Sequence, residues 1–240
     1  NDDQKTEIKN NIVNILTNSI RKRLVSDRPI GCLLSGGLDS SLVAAILCKL
    51  IKENDVNAPK LKTFSVGLSG SPDLKYARDV ADYIGSDHHE LVLTESEMLA
   101  GLEPTIFQLE TYDTTTIRAG TPMYLLSKYI KENFDTTVIF SGEGSDELSG
   151  SYLYFHNAPS PEDFQTEIYR LVDDLHYFDV LRCDKSIAGS GLEVRVPFLD
   201  KDFLSYYISI DAVDKMPQIH ADKPIEKYLL RSAFDNGLLP

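Results

Sequence analysis

Two short segments carry side chains whose types and spacing suit chemistry. In the first, the apolar run Ile30 to Leu34 breaks into Ser35-Gly36-Gly37-Leu38-Asp39-Ser40-Ser41. Paired glycines lack a Cβ, so the backbone can turn tightly and approach a ligand closely. With a strand entering this turn and a helix leaving it, backbone N–H groups and the positive helix end converge on one point and cradle an anion. Ser35, Ser40 and Ser41 add hydroxyl donors. Asp39 repels an anion unless a divalent cation joins the two, and a carboxylate beside a phosphate is a common way of holding Mg²⁺. No Lys enters the loop and G-x-x-x-x-G-K-[ST] is absent, which excludes the ordinary P-loop; G-x-G-x-x-G is absent from this turn too. The plain alternative is a glycine-rich turn with no ligand.

The second segment, Ser141-Gly142-Glu143-Gly144-Ser145-Asp146-Glu147-Leu148, follows the β-branched run Thr136 to Phe140. Gly142 and Gly144 open a G-x-G, but Glu147 stands where a dinucleotide fingerprint needs its third glycine. Three carboxylates within five residues repel one another, which predicts a cation, a cationic substrate group, or both at this strand end. A solvated acidic helix start is the plain alternative, since acids favour first turns. Further on, Asp179 and Arg182 are three residues apart and share a helix face, a spacing that by itself favours a surface salt bridge.

The elements that must position these residues follow from periodicity. Ile8, Ile12, Leu16, Ile20 and Leu24 recur every four residues and predict an amphipathic helix. Strands are expected at 30–34, 61–66, 90–93 and 136–140, and helices at 41–51, 95–109, 121–134 and 177–187. Ser71 with Pro72 predicts a helix start and Gly85 its end. Ser160-Pro161 predicts another start, and 224–234 a last helix. Apolar strands alternating with helices predict an α/β fold, a doubly wound and mostly parallel sheet with helices on both faces, followed by a helical C-terminal part.

Composition narrows the function. The net charge of −13 disfavours nucleic acid and anionic membranes as partners. Hydrophobic residues at 42% allow a substantial core. Cys32, Cys48 and Cys183 form no C-x-x-C and are odd in number, so a reducing cytoplasm is expected in preference to a disulfide framework. No apolar run nears the roughly 18 residues of a membrane span. Adjacent His88 and His89 would point to opposite faces of a strand, which argues against shared metal ligation. The chain starts without Met and stops just after an expected helix, as a piece truncated at both ends would.

Six collinear segments then carry a resemblance: SGGLDSS, LETYDTTTIRAGTPMYL, FSGEGSDEL, YLYFHNAPSP, LHYFDVLRCDKS and GLEVRVPFLD. Together they resemble the synthetase domain of the glutamine-dependent asparagine synthetase family, within the ATP pyrophosphatases that carry S-G-G-x-D-S and split ATP between its α- and β-phosphates. The likeness covers essentially all of residues 1–240. It implies an adenine nucleotide alpha hydrolase-like fold and ATP with Mg²⁺. Ser35, Gly36, Gly37, Asp39 and Ser40 would meet the pyrophosphate, and Leu33, Val66, Ser141 and Gly142 would line the nucleoside. Glu143 would serve the formation of β-aspartyl-AMP, and Asp146 would face either the substrate amino group or the metal, alongside Asp39. Thr115, Arg118, Asp179 and Arg182 would meet substrate or phosphates.

The implied reaction is attack by the aspartate side-chain carboxylate on the α-phosphorus, release of pyrophosphate, and displacement of AMP by ammonia. The resemblance also implies a glutaminase domain in the same parent chain and is compatible with a homodimer. Such a domain begins with a nucleophilic Cys, and position 1 is Asn. A catalytic Lys in a W-R-x-K-type segment would lie beyond Pro240. The rival expectations are another amide-forming ATP pyrophosphatase, such as a β-lactam synthetase-like enzyme, and an ATP-binding fragment without catalysis.

Overall fold

The computed structural model describes residues 2–220 and 223–240. Helix α1 (Asp2–Lys22) precedes β1 (Ile30–Leu33) and α2 (Leu38–Asn54); β2 (Lys62–Leu68), α3 (Pro72–Ile84) and β3 (Asp87–Leu93) follow. Next come α4 (Glu95–Ala100), α5 (Leu102–Leu109), α6 (Thr114–Asn133) and β4 (Val138–Phe140). The remainder is α7 (Ser145–Ser149), α8 (Pro161–Asp174), α9 (Asp179–Ala188), β5 (Glu193–Arg195), α10 (Lys201–Ser209), α11 (Ala212–Lys215), β6 (Gln218–His220), β7 (Lys223–Ile225) and α12 (Tyr228–Ala233). Asn1 lies outside the described residues.

The main sheet has the order β3-β2-β1-β4-β5 with every neighbouring pair parallel, the doubly wound α/β arrangement that the apolar strands predict. Strand residues alternate between two cores. Cys32, Val138 and Phe140 pack with Ile12, Leu16, Ile20 and the apolar side of α2 on one face. Phe64 and Ile139 pack with Leu126, Ile130, Cys183 and Ile187 of α6 and α9 on the other. Chain order reverses between β1 and β4, so their carboxyl ends flank the topological switch point, where ligands of open α/β sheets bind.

Several boundaries move. The helix expected at 121–134 starts at Thr114, because the Asp113 side chain accepts from Thr116 N at 2.7 Å and caps it. Pro122 then lies inside the helix and removes one of its backbone hydrogen bonds. The single helix expected over 95–109 divides at Gly101. A Cβ there would sit 2.9 Å from Leu125, so this glycine permits close approach to α6. Ser71 precedes α3 but makes no side-chain cap bond; Pro72 at the first turn and left-handed Gly85 (φ 73°) delimit that helix. The third strand starts at Asp87, not Glu90, since β2 pairs along its whole length with Asp87 through Leu93.

The helix expected over 224–234 is shorter than its pattern suggests. Residues 218–220 and 223–225 form an antiparallel hairpin, and α12 begins only at Tyr228. Residues 193–195, outside the expected strands, form β5, which pairs with β4 from Val138 to Phe140. The chain just after it is tied to α1: Ser19 Oγ donates to Pro197 O at 2.6 Å, and Arg23 Nη1 lies 2.7 Å from Asp200 Oδ2. No helix among the described residues is long and apolar enough to cross a membrane.

The two histidines of β3 do point to opposite faces. His88 is buried, with Nδ1 2.9 Å from Thr63 Oγ1 and Nε2 3.1 Å from Ser65 Oγ, whereas His89 stacks on Phe64 and contacts Phe134. Burial, aided by the positive charge of Arg78, lowers His88 to about 4. The unfolded chain therefore takes up a proton first as pH falls below the ordinary histidine value, and the folded state loses relative stability there. Compared with His88→Gln, wild type should lose its lead by about 1.4 kcal/mol per pH unit between about 6.5 and 4. Urea titrations of both proteins at several pH values would measure this; parallel pH dependences would refute the assignment.

Candidate active site

The first glycine segment leaves β1 at Leu33 and enters α2 at Leu38, a strand-loop-helix passage. Leu34 N donates to Phe64 O at 2.8 Å, which anchors the loop to β2. Gly36 adopts φ 80°, and a Cβ there would collide with Tyr76 and the backbone of Ala77 at 2.5–2.6 Å. Inside the turn, Ser35 N donates to Ser40 Oγ at 3.1 Å, the Ser35 and Ser40 hydroxyls lie 3.0 Å apart, and Gly37 N donates to Ser35 Oγ at 3.3 Å. The turn is thus set by its own serines before any ligand arrives.

The second glycine segment leaves β4, the neighbour of β1, and enters the short helix α7. Ser141 N donates to Arg195 O at 2.9 Å, extending the β4–β5 ladder by one bond. The two loops touch through Gly142: a Cβ there would stand 2.8 Å from Ser40 N and 2.9 Å from Asp39 C. Gly144, at φ 88°, leaves room for Leu199 in the same way.

Between the loops lies a cavity of about 310 Å³, lined by Leu33, Ser35, Gly37, Asp39, Ser40 and Val66 on one side. Ser141, Gly142, Glu143 and Asp146 line the other. Ten of the residues singled out in the sequence therefore face one space. Gly36 and Ser41 do not; both line a separate cleft with Tyr76 and Arg231. Ser41 is buried with its hydroxyl unpartnered, so it is no donor to the cavity, although its sequence position suggests one.

The acidic cluster resolves into two groups. Asp39 and Asp146 share a single cation: Lys227 Nζ lies 2.5 Å from Asp39 Oδ2 and 2.6 Å from Asp146 Oδ1. Ser145 Oγ donates to Asp39 Oδ1 at 2.7 Å, and Ser151 Oγ donates to Asp146. Burial pushes the Asp39 carboxyl up, and the Lys227 charge opposes that rise. Burial works against the Lys227 ammonium as well, but the two carboxylates hold it above its ordinary value. A cation within hydrogen-bond reach of two carboxylates favours the ionised trio. No spacing signal in the sequence marks Lys227; it reads as an ordinary helix-start lysine, and only the demand of two buried acids for a counter-charge hints at it.

The second group is Glu143, Arg182, Asp179 and Glu147. Arg182 pairs with Asp179 on α9 and reaches Glu143 at 3.6 Å, so it bridges elements and is more than an intrahelical pair. Its Nε is buried and unpartnered. Burial raises Glu143 to about 7 despite Arg182. Glu147 accepts from Tyr152 Oη at 2.5 Å beneath the loop. Thr115 and Arg118, in the first turns of α6, are exposed and make no hydrogen bond or ion pair to either loop; this structure does not bring them into the cluster.

Oxygen donors from Asp39 and Asp146 are the kind a hard divalent ion takes, and the spot already accommodates one cation. Among the described residues no set of three or more His, Cys, Asp or Glu encloses a metal. Two carboxylates with the remaining positions left to phosphate oxygens and water is a common Mg²⁺ arrangement. The residues present therefore fit such an ion.

The asparagine synthase family model matches residues 11–163 and 158–240. Asparagine synthetases (glutamine-hydrolysing) of Gallus gallus and Mus musculus are each 55% identical over 234 residues, and that of Homo sapiens is 54% identical over the same length. Each match covers 97% of this chain and 41% of the relative, so the chain spans well under half of those proteins.

The contact between the loops is testable through two glycines. Gly142→Ala drives a methyl into the backbone of residues 39–40 and should cost about 1–3 kcal/mol. Gly37→Ala, whose Cβ would meet only Ser35 Oγ at 3.3 Å, should cost clearly less. Equal costs in chemical denaturation would show that the loops do not abut.

Proposed function

Because the chain belongs to the asparagine synthase family, we propose that its cavity activates the aspartate side-chain carboxylate with ATP and passes the product to ammonia, giving asparagine. The observation that carries this reading is the convergence of both glycine loops on one space at the switch point, with separate ionic groups at its two sides. The Ser35–Ser40 turn takes the β- and γ-phosphates, using backbone amides, the Ser35 and Ser40 hydroxyls and the N-terminus of α2. Leu33, Val66, Ser141 and Gly142 hold the nucleoside.

Aspartate lies toward Glu143 and Arg182. The Arg182 guanidinium, paired with Asp179 and 3.6 Å from Glu143, is a planar fork that fixes a carboxylate in orientation as well as position. Thr115 and Arg118 reach substrate or phosphate only if the start of α6 closes over the cavity. The carboxylate forms a bond to the α-phosphorus while the bond to the β-phosphate oxygen breaks, and pyrophosphate departs into the loop. Ammonia then attacks the acyl carbon, loses a proton, and AMP leaves.

An anion attacking a polyanion needs positioned positive charge, which Arg182 and Lys227 provide on this chain. Asp39 and Asp146 are the residues that would hold Mg²⁺, which would supply further neutralisation of the leaving pyrophosphate. Ammonia comes, on this reading, from a glutaminase domain in the parent chain. Three unpaired cysteines support a reducing, cytoplasmic setting.

The full-length protein should catalyse aspartate-dependent exchange of pyrophosphate into ATP. Glu143→Gln should lower kcat for exchange at least tenfold with little change in the KM for ATP, because the loops hold the nucleotide independently. Wild-type exchange should rise with pH through about 7 as Glu143 loses its proton, and the variant should lack that limb. Exchange that ignores aspartate would defeat the proposal.

A further inference from the structure

Lys227 occupies an unusual place. It is buried, at 7% exposure, and sits at φ 55° and ψ 29°, one of two non-glycine residues with positive φ among those described. Such a backbone state is unfavourable for a side chain with a Cβ and persists when its surroundings hold it. Here the ammonium is held at 2.5 Å by Asp39 from the first loop and at 2.6 Å by Asp146 from the second. The other Asp39 oxygen is engaged by Ser145, and Ser151 donates to the same Asp146 oxygen that Lys227 uses.

Both Asp39 oxygens are taken, Oδ2 by Lys227 and Oδ1 by Ser145, and Lys227 also holds Asp146 Oδ1, so a divalent ion bridging the two carboxylates meets the ammonium in the gap between them. Mg²⁺ binds oxygen at about 2.0–2.1 Å and demands near-octahedral geometry, so it cannot share that gap with an ammonium ion. Like charges at such a distance also repel strongly in a buried site. A lysine, unlike an arginine, is a point charge on a flexible four-carbon stem and can change acceptors without rebuilding its surroundings.

We propose that Lys227 is the resident cation of the Asp39–Asp146 site, that it excludes a divalent ion from the nucleotide-free protein, and that it yields only when a polyphosphate supplies its ammonium with new acceptors. The inference rests on the ATP reading of the cavity and adds an order to it: the metal enters with the nucleotide, because it cannot use the site while the lysine holds it and the polyphosphate draws the lysine away. Linkage makes the effect reciprocal, so the polyphosphate tightens the metal as much as the metal tightens the polyphosphate.

The test is Mn²⁺ binding followed by electron paramagnetic resonance in the full-length protein, with α,β-methylene-ATP as the uncleavable nucleotide. Without nucleotide, Lys227→Met should bind Mn²⁺ at least tenfold more tightly than wild type, and Mn²⁺ alone should raise the melting temperature of the variant but not of wild type. In wild type, the analogue should tighten Mn²⁺ at least tenfold beyond the analogue's own affinity for the ion. Should Lys227→Met fail to fold, wild type still decides: tight Mn²⁺ binding without nucleotide that is lost in Asp146→Asn overturns the proposal. Equal Mn²⁺ affinity in wild type and variant, with both still binding the analogue, overturns it while leaving the ATP reading intact. Failure of wild type to bind the analogue with Mn²⁺ removes both.

Discussion

The arrangement depends on one electrostatic constraint: carboxylates from two different loops are brought together in a partly buried space, and a positive charge must lie between them. Asp39 and Asp146 follow neighbouring parallel strands, and Lys227 reaches them from almost the far end of the chain. Removing one partner of a buried ionic set typically costs about 3–5 kcal/mol, because the charge left behind has no substitute for water. The lysine therefore ties the C-terminal hairpin and α12 to the switch point of the sheet. In this way the ionic contact links fold and site.

Steric limits act beside the electrostatic one. Gly142 lets the second loop lie directly on the backbone of Ser40, and Gly144 admits Leu199. Leu199 belongs to the segment that supplies β5 and is fastened to α1 through Pro197 and Asp200. Thus the cavity wall is backed by strand pairing on one side and by the α1 contact on the other. A site built on strand ends and backed by packed helices is positioned more rigidly than one on free loops.

The two sides of the cavity differ in character. At the Asp39 side the serines satisfy one another and leave the turn preset. At the Glu143 side, burial raises a carboxyl to about 7 and leaves Arg182 with an unused donor, so charge and hydrogen bonding are incomplete there. Incomplete satisfaction of buried polar groups is costly unless a ligand completes it. That contrast suits phosphate capture on one side and recognition of a second substrate on the other.

The sequence by itself determined what depends on local pattern. Apolar runs and helical spacing specify the parallel α/β sheet, and the two glycine segments identify eight residues that line one cavity. Local pattern misled where packing overrode it: residues 193–195 join the sheet as an edge strand, and Pro224 belongs to a hairpin instead of a helix. It also could not separate Ser41, turned into the protein, from Ser40, turned into the cavity. Only the tertiary structure decided which charges meet. Lys227 lies 188 residues from Asp39, and Arg182 reaches the loop residue Glu143 from α9. Ionic contacts form through space, whereas periodicity and turn chemistry reach only a few residues along the chain, so pairings of that kind leave no trace in spacing.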